Sequence, residues 1–217
     1  MHLCFDLDGT LIDFSDRLYC IYQDLLIAGG FEILPKSAYL PLKAANVHER
    51  DIIARTDASD IADDYLIQRD QLIEDPHYQQ LDQLLPGVPQ LLASLQKSHT
   101  LSLVTLRQYR QPLMAQLVTL DLVQYFTHIQ SGSLAGETLP ESKTRMIREI
   151  LSDEEPCAMI GDSEYDILGG RGAGAITIAV ETGIRDTAWL MQYHPDFTLH
   201  DVTELPKILP KLDQPTS

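Results

Sequence analysis

Apolar residues recur at helical spacing in the block of the chain that follows its N-terminal apolar run. Positions three to four residues apart predict helices over residues 14–28, 42–55 and 61–73. A link containing Pro35 and Pro41 separates the first two. The block has no strand pattern and is too long for an ordinary crossover between parallel strands. We therefore predict a separate helical cap domain over residues 15–81, hinged near Phe14 and near Leu81.

From Leu85 onward, short apolar runs alternate with segments of helical spacing. The runs predict strands over residues 100–105, 126–130, 157–160, 176–180 and 197–199. The other segments predict helices over residues 86–97, 108–120, 141–151, 164–171, 186–192 and 202–212. This alternation is typical of an α/β fold with a doubly wound parallel sheet, covered by helices on both faces. Residues 1–14 and 82–217 are expected to form this core, with a frayed tail from Asp213.

Two carboxylates end the apolar run near the N-terminus. Asp6 and Asp8 flank a single leucine, and Gly9 and Thr10 follow at once. In open α/β sheets, ligands bind beyond the carboxyl ends of the strands, where both acids are predicted to lie. Adjacent carboxylates repel each other unless a cation or a shared proton intervenes, and oxygen ligands of this kind suit Mg²⁺. A turn at a strand end is the simpler alternative, because Asp and Gly are common turn residues.

Polar residues also follow two later strands. Thr105 ends one predicted strand, with Arg107 two residues on, and Asp162 follows another. Lys143 lies at the start of a helix between them. Taken singly, Thr105 and Asp162 could cap helices, and Lys143 could be a solvated charge. Their shared position, at the carboxyl ends of strands or at the helix starts behind them, favours one site.

Composition and charge narrow the classes of function. The 217 residues are 44% hydrophobic and carry 16 Lys and Arg against 32 Asp and Glu, a net charge of −16. Such a surface repels nucleic acids and anionic lipid, so neither is expected as a partner. No apolar stretch is long enough to span a bilayer, and Asp6 interrupts the N-terminal run, which predicts a cytoplasmic protein. Cys4, Cys20 and Cys157 form no C-x-x-C pair, and Cys4 and Cys157 fall in predicted buried strands.

The chain resembles the haloacid dehalogenase-like superfamily of phosphohydrolases over essentially its whole length. Four motifs carry the resemblance: D-x-D-G-T at Asp6-Leu7-Asp8-Gly9-Thr10, a strand-end Thr at Thr105, a Lys at Lys143, and G-D-x-x-x-D from Gly161-Asp162 to Asp166. Gly169, Gly172, Ala173 and Gly174 also suit the family. A helical insert between the first two motifs is similar to the subgroup of phosphoglycolate phosphatases and β-phosphoglucomutases. The Lys-Pro pair common around the third motif is missing, so Arg145 and Arg148 are alternatives to Lys143.

The resemblance implies roles for these residues. Asp6 would be the nucleophile that forms an aspartyl-phosphate, and Asp8 the general acid and base. Mg²⁺ would be held by Asp6, Asp162 and the backbone carbonyl of Asp8, with Asp166 in support. Binding of the phosphoryl group would fall to Gly9, Thr10, Thr105, Leu106, Arg107 and Lys143.

The resemblance implies a Mg²⁺-dependent phosphatase acting on a small phosphorylated metabolite, such as phosphoglycolate, a sugar phosphate or a nucleotide. A phosphosugar mutase of the same fold and a non-catalytic phosphometabolite-binding protein remain alternatives, and either a monomer or a homodimer is expected. A dehalogenase is disfavoured, because a halide leaving group needs no general acid at Asp8. Within the cap, the cationic candidates for substrate contact are Lys43, His48, Arg50 and Arg55.

Overall fold

In the computed structural model, which describes residues 1–151 and 156–212, one parallel sheet forms the centre of the molecule. The strands of the described chain are β1 His2–Phe5, β2 Ile12–Asp13, β3 Gln83–Leu84, β4 Thr100–Thr105, β5 His128–Ser131, β6 Cys157–Gly161, β7 Ile176–Val180 and β8 Phe197–Leu199. Six of these strands pair in the order β5-β4-β1-β6-β7-β8, and every pairing is parallel. The predicted doubly wound α/β sheet is confirmed, and β1 lies between β4 and β6.

Helices cover both faces of the sheet and fill the insert between β2 and β3. The α-helices of the described chain are α1 Ser15–Ala28, α2 Lys36–Ala44, α3 Glu49–Ile53, α4 Ala62–Leu72, α5 Pro76–Gln79, α6 Val88–Leu95, α7 Arg110–Thr119, α8 Leu139–Ile150, α9 Glu164–Ala173, α10 Thr187–Met191 and α11 Leu209–Leu212. Short 3-10 helices occupy Ser59–Ile61, Val123–Tyr125 and Val202–Lys207. None of the helices described here combines the length and the apolar character that crossing a bilayer requires.

Two predicted helices are wrong in their bounds. The helix predicted over residues 42–55 is two helices, because Asn46 adopts a left-handed φ of 54° that ends α2 before α3 begins. Pro41, predicted to lie in a link, lies within α2 with its ring exposed. The helix predicted over residues 202–212 is a 3-10 helix followed by α11, since Pro206 and Pro210 lack the N–H groups that a continuous α-helix needs. The predicted fraying from Asp213 lies outside the described residues.

A two-stranded antiparallel pair that the sequence pattern did not indicate joins the two chain crossings. Ile12 pairs with Leu84 and Asp13 with Gln83, and the Leu85 N–H donates to the Leu11 carbonyl at 2.9 Å. The chain therefore leaves the core and returns to it at one place. The division at residues 15–81 stays a prediction.

Separate hydrophobic clusters lie in the sheet and in the insert. Alternate residues of β1 point to opposite faces, so that Leu3 and Phe5 join one cluster and Cys4 another. The insert has its own cluster around Tyr22 and Tyr39, whose rings stack with centroids 4.5 Å apart. Aromatic pairs of this kind bury large apolar surfaces, and they give the inserted helices a core distinct from that of the sheet.

Candidate active site

The carboxyl ends of three neighbouring strands meet at one cavity. Asp6 follows β1, Thr105 ends β4 and Asp162 follows β6, the two strands that flank β1. The cavity encloses about 650 Å³ between the sheet and the insert. Its walls include many of the side chains singled out in the sequence, namely Asp6, Asp8, Thr105, Leu106, Arg107, Lys143 and Asp162.

Lys143 reaches the nucleophile candidate from the second turn of α8. Its helix begins at a capping box in which Thr138 and Glu141 satisfy each other's backbone N–H groups. The Lys143 Nζ donates to Asp6 Oδ1 at 2.6 Å and to the Val104 carbonyl at 2.7 Å, and it lies 2.7 Å from Asp166 Oδ1. Burial alone would lower the pKa of Lys143, but the charges of Asp166 and Asp6 outweigh burial and raise it. Lys143 therefore enters the site as a cation.

Neither alternative to Lys143 lies in the cavity. Arg145 pairs with Glu137 at 2.9 Å and with Glu149 at 3.1 Å on the outer side of α8. Arg148 donates to the Gly172 carbonyl at 2.5 Å. Of these three cations of α8, only Lys143 contacts Asp6.

Three buried acids form a cluster beside Lys143. Carboxylate oxygens of Asp6, Asp162 and Asp166 lie within 4.8 Å of one another. Burial raises the pKa of Asp6 to about 7 against the opposing effect of Lys143. Burial, with the nearby charges of Asp6 and Asp166, raises the pKa of Asp162 well above its usual range. The charges in this cluster are thus under-compensated, and an all-oxygen donor set of this kind suits a hard divalent cation.

The three acids differ in how their oxygens are used. Asp166 Oδ1 faces Lys143, while its Oδ2 accepts from the Ser163 N–H at 3.1 Å and the Ser163 hydroxyl at 2.7 Å. Asp162 Oδ2 accepts from the Ile184 N–H at 3.1 Å. Asp6 and Asp162 each have one carboxylate oxygen left over from these contacts, so those two are the better direct ligands.

Two glycines make room for the Asp162 carboxylate. Gly9 has a left-handed φ of 80°, and a Cβ on it would lie 2.5 Å from Asp162 Oδ2. A Cβ on Gly183 would lie 1.8 Å from the same oxygen. Gly9 was singled out as part of the first motif. Gly183 was missed, because a glycine in a loop after β7 carries no local signal of what lies against it.

Asp8 is held by two arginines, one from each side of the cavity. Arg107 donates from Nε to Asp8 Oδ2 at 2.6 Å and from Nη2 to Oδ1 at 2.7 Å, a two-pronged pairing. Arg17, from the first turn of α1 in the insert, also pairs with Asp8 Oδ1. Burial would raise the pKa of Asp8, but the charges of Arg107 and Arg17 outweigh it and hold that pKa below its usual range. Arg17 is a site residue that the sequence analysis missed.

Of the other predicted phosphate-binding residues, some line the cavity and others do not. Thr105 is buried, and its hydroxyl accepts from the Arg107 N–H at 3.4 Å. The Arg107 side chain is engaged by Asp8 and Asp82 rather than free. Gly9 and Thr10 are not among the residues that line the cavity, and the Thr10 side chain is fully buried.

None of the cationic candidates in the insert lines the described cavity. Lys43 pairs with the buried Glu49 at 2.7 Å, and His48 caps α3 by accepting from the Arg50 N–H. Arg50 pairs with Asp63 at the surface, and Arg55 is exposed. The cations that do line the cavity, besides Lys143, are Arg17, Arg69, Arg107 and Arg185.

Comparisons with known proteins show the family and the fold. Residues 3–180 match the family described as haloacid dehalogenase-like hydrolase. Pyrophosphatase PpaX from Bacillus mycoides (strain KBAB4) is 26% identical over 212 residues, which cover 96% of each chain. The fold is similar to that of a haloacid dehalogenase-like family hydrolase from Streptococcus pneumoniae, with a TM-score of 0.79 and 20% identity over 96% of this chain and 97% of that one. It is also similar to a protein from Haemophilus somnus 129pt described as a predicted phosphoglycolate phosphatase, with a TM-score of 0.74 and 19% identity over 96% and 97%.

Proposed function

The chain belongs to the haloacid dehalogenase-like hydrolase family and is a phosphatase, and we propose that it hydrolyses a small phosphorylated metabolite with Mg²⁺ and an aspartyl-phosphate on Asp6. One observation carries the proposal: the Lys143 ammonium lies 2.6 Å from Asp6 Oδ1, beside Asp8 and Asp162. This arrangement combines a nucleophile, a proton-transfer group and a cation in one cavity.

In the first step, a carboxylate oxygen of Asp6 attacks phosphorus. The bond from phosphorus to the ester oxygen breaks, and Asp8 gives a proton to that departing oxygen. Asp8 has to take up this proton as substrate binds, because Arg107 and Arg17 hold its pKa below the usual range in the substrate-free arrangement. Lys143 and Thr105 contact the non-bridging oxygens of the transferring group. Since Lys143 is buried and cationic, it offsets negative charge where that charge develops.

In the second step, water attacks the phosphorus of the aspartyl-phosphate. Asp8, now without its proton, accepts a proton from that water, and the bond from phosphorus to Asp6 breaks. The products are inorganic phosphate and the regenerated Asp6 carboxylate.

Asp6 and Asp162 would hold the Mg²⁺, together with the backbone carbonyl of Asp8, and Asp166 would support them through Lys143 and Ser163. When bound, Mg²⁺ supplies positive charge at the phosphoryl oxygens. The fit rests on the leftover oxygens of Asp6 and Asp162 and on the glycine cradle around the Asp162 carboxylate.

The substrate is proposed to enter between the sheet and a cap formed by residues 15–81, which would exclude bulk water. Phosphoglycolate, a sugar phosphate and a nucleotide are the candidate substrates from sequence. Inorganic pyrophosphate joins them, because the curated relative carries the name pyrophosphatase and four arginines line the cavity besides Lys143. Each of these arginines pairs with a carboxylate, and a second anionic group of the substrate would have to take the place of one of those carboxylates.

The proposal is tested with purified protein on phosphoglycolate, glucose 1-phosphate, AMP, pyrophosphate and p-nitrophenyl phosphate. Phosphate release is measured with Mg²⁺ and with a chelator. Release that requires Mg²⁺ on at least one compound is expected. Conversion of glucose 1-phosphate to glucose 6-phosphate without phosphate release would favour the mutase, and tight binding without turnover would favour the phosphometabolite-binding protein.

A further inference from the structure

Arg17 connects three parts of the molecule that are distant in sequence. Its Nη2 pairs with Asp8 Oδ1, its Nη1 donates to the Ile73 carbonyl at 2.9 Å, and its Nε lies 3.2 Å from Asp82 Oδ1. Its guanidinium carbon lies 5.3 Å from the centre of the Phe14 ring. Arg17 therefore contacts the site, the insert where α4 ends, and the returning crossing of the chain.

Arg17, Asp8, Arg107 and Asp82 form a closed ring of alternating charges. Arg107 Nη2 donates to Asp82 Oδ2 at 3.4 Å as well as to Asp8, and Gln116 Nε2 donates to Asp82 Oδ2 at 2.7 Å. The side chain of Arg17 is 1% exposed, and that of Asp82 is fully buried.

A guanidinium so fully buried is costly to remove from water, and an uncompensated one is strongly unfavourable. A buried ion pair is weak evidence of a contribution to stability, and the alternative role for this one is to fix the geometry of the residues it joins. The geometry here is specific: two nitrogens of Arg17 donate hydrogen bonds, to Asp8 and to the Ile73 carbonyl, and the third forms an ion pair with Asp82. The acceptor that lies in the cavity is the proposed proton-transfer group.

We propose that Arg17 is a positioning residue. It holds the Asp8 carboxylate in the orientation needed for proton transfer, and it makes that orientation depend on the position of the insert. This inference rests on the proposed function. If the insert moves relative to the sheet, the Arg17 contact with Asp8 changes together with its contacts to Ile73 and Asp82. A change in the position of the insert would then change the position of the Asp8 carboxylate.

A purely structural ion pair makes a different prediction. Loss of a structural contact lowers turnover of all esters by a similar factor, through the amount or the shape of active protein. Loss of a contact that positions a general acid lowers turnover most where the leaving group needs a proton.

Two aryl phosphates of nearly the same shape separate these cases. Nitrophenolate is a weak base that departs without help, whereas phenolate needs protonation. The measurement is single-turnover release of nitrophenol from p-nitrophenyl phosphate and of phenol from phenyl phosphate, with enzyme in excess and Mg²⁺ saturating. The variants are Arg17→Met, which keeps an apolar stem, and Arg17→Lys, which keeps the charge but has a single nitrogen. Lys36→Met is the matched control, because Lys36 pairs with Asp16, the neighbour of Arg17 in α1, and is not among the residues that line the cavity.

Arg17→Met is expected to slow phenol release at least tenfold more than nitrophenol release, since general acid catalysis contributes about 10² to 10⁴. Arg17→Lys is expected to shift the ratio in the same direction by a smaller factor, and Lys36→Met is expected to leave it unchanged. Equal slowing of both compounds by Arg17→Met overturns the inference. If Arg17→Met does not fold, Arg17→Lys decides, and a wild-type ratio in that variant overturns it. A wild-type protein that releases phosphate from none of the five compounds named above would instead overturn the proposed function, and this inference with it.

Discussion

The Lys143 ammonium and the Asp6 carboxylate lie 2.6 Å apart, from the second turn of α8 and from the end of β1. Lys143 also compensates Asp166 at 2.7 Å, so one cation serves two of the three clustered acids. We expect Lys143→Met to lower turnover about 10²- to 10³-fold, because a fixed charge at the phosphoryl oxygens is lost. The rise in melting temperature on adding Mg²⁺ should grow, because the metal would then be the main counter-charge of the cluster.

Arg145→Met is the matched control for this prediction. Arg145 lies on the same helix, but it pairs with Glu137 and Glu149 away from the cavity. Its loss should leave turnover within twofold of wild type. Turnover by Lys143→Met at the level of that control would show that Lys143 has no part in the reaction.

The space around Asp162 gives a second prediction. Gly183→Ala places a Cβ 1.8 Å from Asp162 Oδ2 in the present geometry, so the carboxylate has to shift. Saturating ligand at about 100 times its dissociation constant stabilises a protein by about 2.7 kcal/mol, and a displaced carboxylate should reduce that gain at the same Mg²⁺ concentration. Thermal unfolding over a Mg²⁺ titration measures the effect. In Gly136→Ala a Cβ meets nothing within 4 Å, but the left-handed φ of 90° there disfavours alanine and lowers the baseline stability. The Mg²⁺ response of this variant should be unchanged, and an equal response in the two variants would argue against Asp162 as a ligand.

Glu74 fastens the insert to the core next to the site. Its carboxylate accepts from the Gln108 N–H at 2.7 Å and from the Tyr109 N–H at 3.0 Å, the two residues that precede α7. Glu74→Gln replaces two hydrogen bonds to a charged acceptor with bonds to a neutral one, and a loss of about 1 to 2 kcal/mol in the free energy of unfolding is expected. Urea denaturation checks the value against Glu149→Gln, an exposed residue of α8. Equal losses would mean that the Glu74 contact contributes nothing of its own.

The raised pKa of Asp82 predicts that the stability of the protein depends on pH. Burial raises the pKa of Asp82 from 3.8 to about 6 against the charges of Arg17 and Arg107. Because the folded state then binds the proton more tightly than the unfolded state, stability falls as the pH rises from about 4 to above 6. At 1.36 kcal/mol for each pKa unit, the loss is about 3 kcal/mol.

Asp82→Asn should abolish that loss. The variant and the wild type are expected to be equally stable near pH 4, and the variant should be the more stable of the two at pH 7. The difference in urea unfolding free energy between them, followed over this range, isolates Asp82 from other titrating groups. A variant that is less stable than wild type at pH 7, with no difference at pH 4, would mean that the two arginines stabilise ionised Asp82 more than burial destabilises it.

The sequence was sufficient for most of the sheet because its signal is local, although the strand predicted over residues 126–130 is instead His128–Ser131. The strands at Thr100–Thr105, Ile176–Val180 and Phe197–Leu199 have the predicted bounds, since buried parallel strands are continuous apolar runs. The two-residue strands β2 and β3 are too short to show any period. The end of α2 was misplaced because it depends on the backbone of one residue, Asn46, rather than on a pattern.

The candidate site shows the same contrast between residues that lie in local motifs and residues that no local pattern indicates. Asp6 and Asp8 belong to one compact motif and Asp162 to another, and for this reason they could be recognised from the sequence. The structure brings all three together in the cavity. Arg17 was not singled out from the sequence, and its burial depends on Asp82, which lies far along the chain. Contacts of this kind between distant segments have no local signature, and cationic residues on helices are mostly exposed.

Formation of a phosphoenzyme on Asp6 tests the central claim most directly. Wild-type protein is mixed with Mg²⁺ and p-nitrophenyl phosphate, quenched in acid and digested, and the phosphorylated residue is located by mass spectrometry. We expect one phosphoryl group on Asp6, and no adduct and no turnover in a folded Asp6→Asn variant, since an amide is not a competent nucleophile. Phosphate on any other residue, or wild-type turnover by Asp6→Asn, would contradict the account.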